Sequence, residues 1–134
     1  MAQCYCCSSK PYSDCCQPIL EGQRPAATPE QLMRSRYSAF CIKNLDYVVD
    51  TTDPQARADM DRASTEEWMK NSEFTRLEVL RSSDEGNKGT VEFKAYFTMN
   101  GANEIHHEIS KFRKHSGTWY FRDGKVMPPP EAKN

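Results

Sequence analysis

The chain has 134 residues, 37% of them hydrophobic and 28% charged, and its 18 basic and 19 acidic side chains leave a formal net charge of −1. That length suits one domain with an appendage, and two Trp, six Tyr and six Phe must supply much of its core. No run approaches the ~18 apolar residues of a membrane span, the start Met1-Ala2-Gln3-Cys4 lacks a signal peptide's basic and apolar regions, and balanced charge without a basic tract offers no footprint for nucleic acid. The expectation is a cytoplasmic protein with neither a membrane nor a nucleic-acid partner.

The first element is a cysteine-rich head. Cys4, Cys6, Cys7, Cys15 and Cys16 cluster at the start, while Cys41 stands alone in a helix-periodic stretch. Neighbouring cysteines bridge poorly because a disulfide needs opposed Cβ atoms at a set separation, and a reducing cytoplasm keeps thiols free. Two thiolate pairs across a short loop suit a tetrahedral zinc ion, the alternative being reactive or adventitiously oxidised thiols. Ser8-Ser9-Lys10-Pro11-Tyr12 between the pairs reads as a turn, and Lys10 offsets part of the thiolate charge.

The run Cys4-x-Cys6-x-Ser8-x-Lys10-x-Tyr12-x-x-Cys15-Cys16 resembles the SEC-C motif, the small zinc module at the end of the SecA translocation ATPase and in other bacterial proteins. The resemblance implies Cys4, Cys6, Cys15 and Cys16 as ligands, zinc as cofactor and a surface for a protein partner. Two positions depart from it. Cys7 and Ser9 stand where glycines are common, so cost-free access to positive φ is lost, and Cys7 becomes a competing ligand or a free thiol.

Residues 18–27, with Gly22 and Pro25, read as a linker, which divides the chain into a head over 1–22, a main domain over 23–127 and a proline-rich tail over 128–134. Thr28-Pro29-Glu30-Gln31 is a capping box that starts a helix running to about residue 49. Met33, Tyr37, Phe40, Cys41 and Val48 share its apolar stripe, with Arg34 along one margin. Cys41 reads there as a small buried apolar side chain. Asp53-Pro54 starts a helix or broken pair of helices to about residue 71.

Strands follow. Residues 74–81 form one, a polar loop covers 82–89, and residues 90–99 alternate with Val91, Phe93, Ala95, Phe97 and Met99 on one face. Asn100-Gly101 makes a type I′ hairpin into a strand over 102–113; a last strand covers 118–122 and Asp123-Gly124 turns again. Helices followed by a meander make the class α+β. A two-residue hairpin pairs Ala95 with His106, Phe93 with Glu108 and Val91 with Ser110. A four-residue second loop would pair Phe112 with Trp119 and Ser110 with Phe121.

This register lays a polar stripe, Glu104, His106, Glu108 and Ser110, across the apolar face. Buried carboxylates must be satisfied. Three readings stand side by side: a salt bridge from Arg34 to Glu108, a water-filled ligand pocket, or a bulge that turns the stripe outward. His107 faces away as ordinary surface, and His115 lies in a turn with no evident partner.

Leu32 through Phe40, Asp46-Tyr47, Thr51-Thr52-x-Pro54, Glu108-x-Ser110-x-Phe112 and Gly117-x-Trp119-Tyr120-x-x-Asp123-Gly124 resemble the YchJ-like family of small bacterial proteins. That resemblance implies SEC-C motifs joined to a nuclear transport factor 2-like cone, helices packed on a curved sheet. Asp53 stands where the family usually has histidine, and a second, C-terminal SEC-C motif is missing. The leading functional reading is a zinc-containing adaptor with no catalytic residue: a closed four-thiolate module meets a protein partner, and the cone dimerises or holds a small ligand. The alternative is an isomerase or dehydratase-like enzyme with a pocket formed by Arg34, Tyr37, His106, Glu108 and Ser110. In it Glu108 or His106 serves as base, and Arg34, Tyr37 or Ser110 as donors.

Overall fold

The computed structural model describes residues 3–127, so the tail read over 128–134 lies outside the described residues. A small hairpin opens the chain, closed by a Gln3–Pro11 bridge and by the Cys4 N–H donating to the Lys10 carbonyl at 2.8 Å. After a 3-10 turn over Tyr12–Asp14 comes α1 (Cys16–Leu20). Part of the expected linker is therefore helical: Pro18 sits in the first turn of α1, where its missing N–H loses no intrahelical bond.

The capping box starts α2 (Pro29–Ile42) as expected. Thr28 accepts from the Gln31 N–H at 3.1 Å, and the Gln31 side chain reaches back to the Ala27 N–H at 2.8 Å. The helix does not continue to residue 49. Lys43 takes a left-handed conformation at φ 63, and Asn44 caps a separate α3 (Leu45–Asp50) by accepting from the Tyr47 N–H. Lys43 offsets its strained backbone by donating from Nζ to the carbonyls of Met69 (2.7 Å) and Ser72 (2.9 Å), where the last helix ends. The region after Asp53 is a broken pair, α4 (Pro54–Arg57) and α5 (Arg62–Asn71), each begun by an aspartate cap.

Four strands, β1 (Ser72–Glu85), β2 (Lys88–Met99), β3 (Ala102–His115) and β4 (Thr118–Val126), form one antiparallel meander in sequence order. The polar loop expected over 82–89 is instead the outer end of the β1–β2 hairpin, exposed over residues 82–88 and buried at Gly89. Asn100 and Gly101, at φ 54 and 81, close the type I′ turn, and Ala95–His106, Phe93–Glu108 and Val91–Ser110 pair as the sequence implies.

The β3–β4 register differs from expectation. Ser116 accepts φ 52, so with Gly117 it makes a two-residue turn, and Phe112 faces Phe121 instead of Trp119. A bulge at Lys111/Phe112 then sets Ser110 opposite Gly124, which lies within β4 and not in a turn.

The helices cover one sheet face. Leu32, Met33 and Tyr37 of α2 pack on Leu77, Val91, Phe93, Ala95, Phe112 and Trp119, and the head joins the same core through Cys4, Cys6, Cys16 and Ile19. Burying each large apolar side chain contributes roughly 1.5–3 kcal/mol. Pro29 lies so close to Gly89 that any Cβ there would collide with the proline ring, which fixes the start of α2 on β2.

Candidate functional site

The hairpin presents Cys4 and Cys6, and the start of α1 presents Cys15 and Cys16; their four Sγ atoms lie within 4.8 Å of one another. Cys6–Cys15 and Cys15–Cys16 sulfur separations are 3.7 and 4.0 Å. A tetrahedral ion with metal–sulfur bonds of about 2.3 Å needs edges of about 3.8 Å, so the donor set fits one. Hydrogen bonds from Cys16 and Cys6 hold the Cys4 thiol far below its ordinary value, and the same contact with Cys4 drives Cys16 far up, so four thiolates cannot coexist here unaided. A metal held by all four thiolates would have no open coordination position.

Neighbouring polar groups support the sulfurs. Ser8 Oγ lies 3.1 Å from Cys15 Sγ and Ser38 Oγ 3.8 Å from Cys4 Sγ. Arg34 Nη1 donates to the Cys6 carbonyl at 2.7 Å while its Nε pairs with Glu30 at 2.9 Å, tying α2 to the head. Cys7 stands outside the cluster, exposed, with its thiol directed at the Tyr5 carbonyl. Cys7 and Ser9 nevertheless adopt φ 64 and 74, the left-handed region for which glycine is suited. Cys41 is half-buried, and burial pushes its thiol up to about 12, in keeping with a packing role.

The polar stripe does face the helices from His106 onward, whereas Glu104 is exposed. It borders a cavity of about 110 Å³ between α2, α5 and the sheet, walled by Phe40, Trp68, Phe74, Phe93, Phe112 and Phe121. His106 Nε2 meets Glu108 Oε1 at 2.7 Å, and Ser110 Oγ donates to Glu108 Oε2. The Glu108 carboxylate lies over Gly124, where any Cβ would collide with it. Burial alone would raise this carboxyl, but hydrogen bonds from His106 and Ser110 and the charges of His106 and Arg36 outweigh it and hold it below the usual range.

The basic residue at this cavity is Arg36, and not Arg34, which the head occupies. Arg36 Nη1 donates to Val48 O (3.0 Å) and Thr51 Oγ1 (2.8 Å), and the guanidinium stacks 4.5 Å from the Phe121 ring centre. Its remaining surface faces this cavity and a groove beside α4, and desolvation lowers it to about 10, leaving it charged at neutral pH. The sequence carried the signal: Arg36 sits three residues after Met33 and four before Phe40, on the face that meets the sheet. Tyr37 contributes to the wall, but its buried hydroxyl has no hydrogen-bond partner among the described residues.

Two histidines differ from expectation. His115 Nε2 meets Asp53 Oδ2 at 2.9 Å, while Asp53 Oδ1 accepts from the Gln55 N–H and caps α4, so the residue thought partnerless clamps α4 to the end of β3. His107 faces outward as read, but bonds Glu92 across the strands at 2.8 Å.

A family model described as YchJ, middle NTF2-like domain, matches residues 28–124. A UPF0225 protein of Geobacter sulfurreducens is 41% identical over 132 residues, covering 96% of this chain and 82% of its own. The solution structure of a SEC-C motif containing protein from Rhodopseudomonas palustris superposes with a TM-score of 0.87 at 49% identity, over 93% of this chain and 98% of that one. A SEC-C motif containing protein from Psychrobacter arcticus gives 0.78 at 35%, over 96% and 84%. One family accounts for both the thiol head and the helix-covered sheet, and this chain belongs to it: the YchJ-like, or UPF0225, proteins, in which a SEC-C motif adjoins an NTF2-like domain.

Proposed function

We propose that this is a cytoplasmic zinc-containing binding protein, in which a closed Cys4/Cys6/Cys15/Cys16 zinc centre shapes a surface for a protein partner and the cone acts as its rigid base. The observation that carries the reading is the convergence of four thiols at tetrahedral spacing in a head with little core of its own. Zinc, when bound, neutralises the thiolates and fixes the hairpin to α1. Free thiols throughout suit a reducing compartment, and no helix among the described residues is long and apolar enough to cross a membrane. Between the head and α2 runs a groove of about 350 Å³ bearing Lys10, Arg24 and Arg34 together with Asp14 and Glu30, a mixed-charge lining that suits a polar partner segment. A homodimer through the outer sheet face belongs to the same reading, with sedimentation as its check.

The test is zinc content by mass spectrometry after purification without chelator, beside Cys15→Ser and Cys16→Ser. One zinc per wild-type chain, lost in both variants while the cone still melts cooperatively, is the expected result. Metal-free wild type with every thiol titratable would refute it. A second reading is favoured by the cavity beside Glu108: the cone also holds a small molecule. Glu108 is not locked against Arg34, and a void adjoins it.

A further inference from the structure

The cavity in the cone has an unusual polar lining for so small a space. Its aromatic walls enclose two groups of opposite charge, the Arg36 guanidinium and the Glu108 carboxylate, and one imidazole. Two features decide which of them could act on a ligand. Both Glu108 oxygens are engaged, Oε1 with His106 Nε2 and Oε2 with Ser110, and the carboxylate is held below its usual range, so it is a poor proton acceptor at neutral pH. The same contact orients the ring: Nε2 donates to the Glu108 carboxylate, so in the neutral imidazole the lone pair lies on Nδ1, an atom with no protein partner among the described residues. Trp68 and Phe93, with ring centres 5.0 and 6.2 Å from the imidazole, hold the ring in place.

Arg36 also lines this cavity; its Nη1 is engaged by Val48, Thr51 and Thr52, and the rest of the guanidinium fork has no acceptor among the described residues. A charged donor and an imidazole nitrogen lining one aromatic-walled cavity supply the two groups needed to stabilise negative charge on oxygen while a neighbouring carbon loses a proton. Because Arg36 and Glu108 already balance one another, an ionic ligand would leave an uncompensated charge, so the ligand is neutral. At about 110 Å³ the space is smaller than the ~150 Å³ cavity that accepts benzene, so it suits a short or small-ring compound, or such a part of a larger one reaching in from solvent.

We propose that this cavity binds a small uncharged carbonyl compound and that His106, positioned by Glu108, moves a proton at the carbon next to the carbonyl while Arg36 faces the oxygen. The step is redox-neutral and needs no co-reactant. The C–H electron pair becomes the C=C bond, the carbonyl π pair moves to oxygen to give an enolate opposite Arg36, and the proton passes to His106 Nδ1. The resulting imidazolium is stabilised by Glu108 and returns the proton to carbon, at the same position or a conjugated one. His106 is then the catalytic residue and Glu108 a positioning residue.

The inference rests on the reading of the cone as a ligand site, and one experiment separates the two. Cyclopentanone is titrated into the zinc-loaded protein with the His106 ring followed by nitrogen-15 NMR, and exchange of its α-hydrogens is followed in heavy water. Expected are shifts of the His106 signals, a ring in the Nε2–H tautomer, and exchange at least 100-fold faster than with His106→Gln. Glu108→Gln should lose the tautomer preference and slow exchange, with partial recovery in Glu108→Asp. Ring shifts without exchange above buffer would leave the ligand site standing and overturn the proton transfer. No shift at all would overturn both. Should His106→Gln fail to fold, the wild-type tautomer decides, since an Nδ1–H ring refutes the assignment of the base.

Discussion

Ser9→Gly should tighten zinc binding, although it removes a side chain and adds none. Ser9 sits at φ 74 and Cys7 at φ 64 in the turn between the two cysteine pairs, and neither residue type reaches the left-handed region without cost. That conformation costs an L-residue about 1–2 kcal/mol. Glycine there removes the strain but loses roughly 0.5–1 kcal/mol more freedom on folding. The balance is a gain of about 0.5–1 kcal/mol per site, so Ser9→Gly with Cys7→Gly gains about 1–2 kcal/mol, or roughly 5–30-fold in zinc Kd. The gain appears in metal affinity because in so small a head the metal and the fold form together. Competition with a chromophoric chelator at fixed pH reads it directly. Ser8→Gly is the control with the opposite sign: Ser8 is not in the left-handed region, and it gives up the contact to Cys15 Sγ. Unchanged or weaker binding in both Cys7→Gly and Ser9→Gly would refute the strain argument, and loss of zinc in Cys7→Gly alone would make Cys7 a ligand.

Three further outcomes are expected. Arg34→Ala removes a charged hydrogen bond to the Cys6 carbonyl, worth about 1.5–3 kcal/mol, so zinc affinity measured in the same competition should fall at least tenfold with the cone's melting nearly unchanged. Gly124→Ala should displace the Glu108 carboxylate, the flexible end that the new Cβ meets; melting should shift little, but the His106 Nε2–H tautomer signal should be lost. Asp53 is closed to solvent, and although burial opposes its charge, the His115 hydrogen bond, the Gln55 N–H and the charge of Arg122 hold its carboxyl below the ordinary range. A depressed carboxyl stabilises the fold above its unfolded value of about 3.9 and loses that contribution as pH falls through the folded value. The advantage of wild type over Asp53→Asn in urea unfolding, about 1–3 kcal/mol near neutrality, should therefore shrink below about pH 4.

What could be read from the sequence was what short-range chemistry determines, and what could not was settled between distant residues. Asn100-Gly101 needs only its own two residues to form a type I′ turn, and once that register is fixed, His106, Glu108 and Ser110 must face the helices. The capping box at Thr28 and the paired cysteines are local in the same sense. Lys43 is different. A lysine at φ 63 is a poor helix terminator on its own, and it succeeds because its Nζ reaches two carbonyls 26 and 29 residues away. Asp53 and His115 find each other across 62 residues, which no spacing rule anticipates. The exchange of Arg34 for Arg36 teaches the most. Both lie near the apolar stripe of α2, and the wheel alone made Arg34 the candidate for Glu108; the head then claimed Arg34 through the Cys6 carbonyl, leaving Arg36 to meet the sheet. The thiol head and the cone are thus coupled through one helix: α2 sends Arg34 to the cysteine loop and, two residues on, Arg36 to the cavity. Loss of metal should then loosen the wall of the cavity as well as the head, and chelation should broaden the His106 signal in a protein whose sheet remains intact.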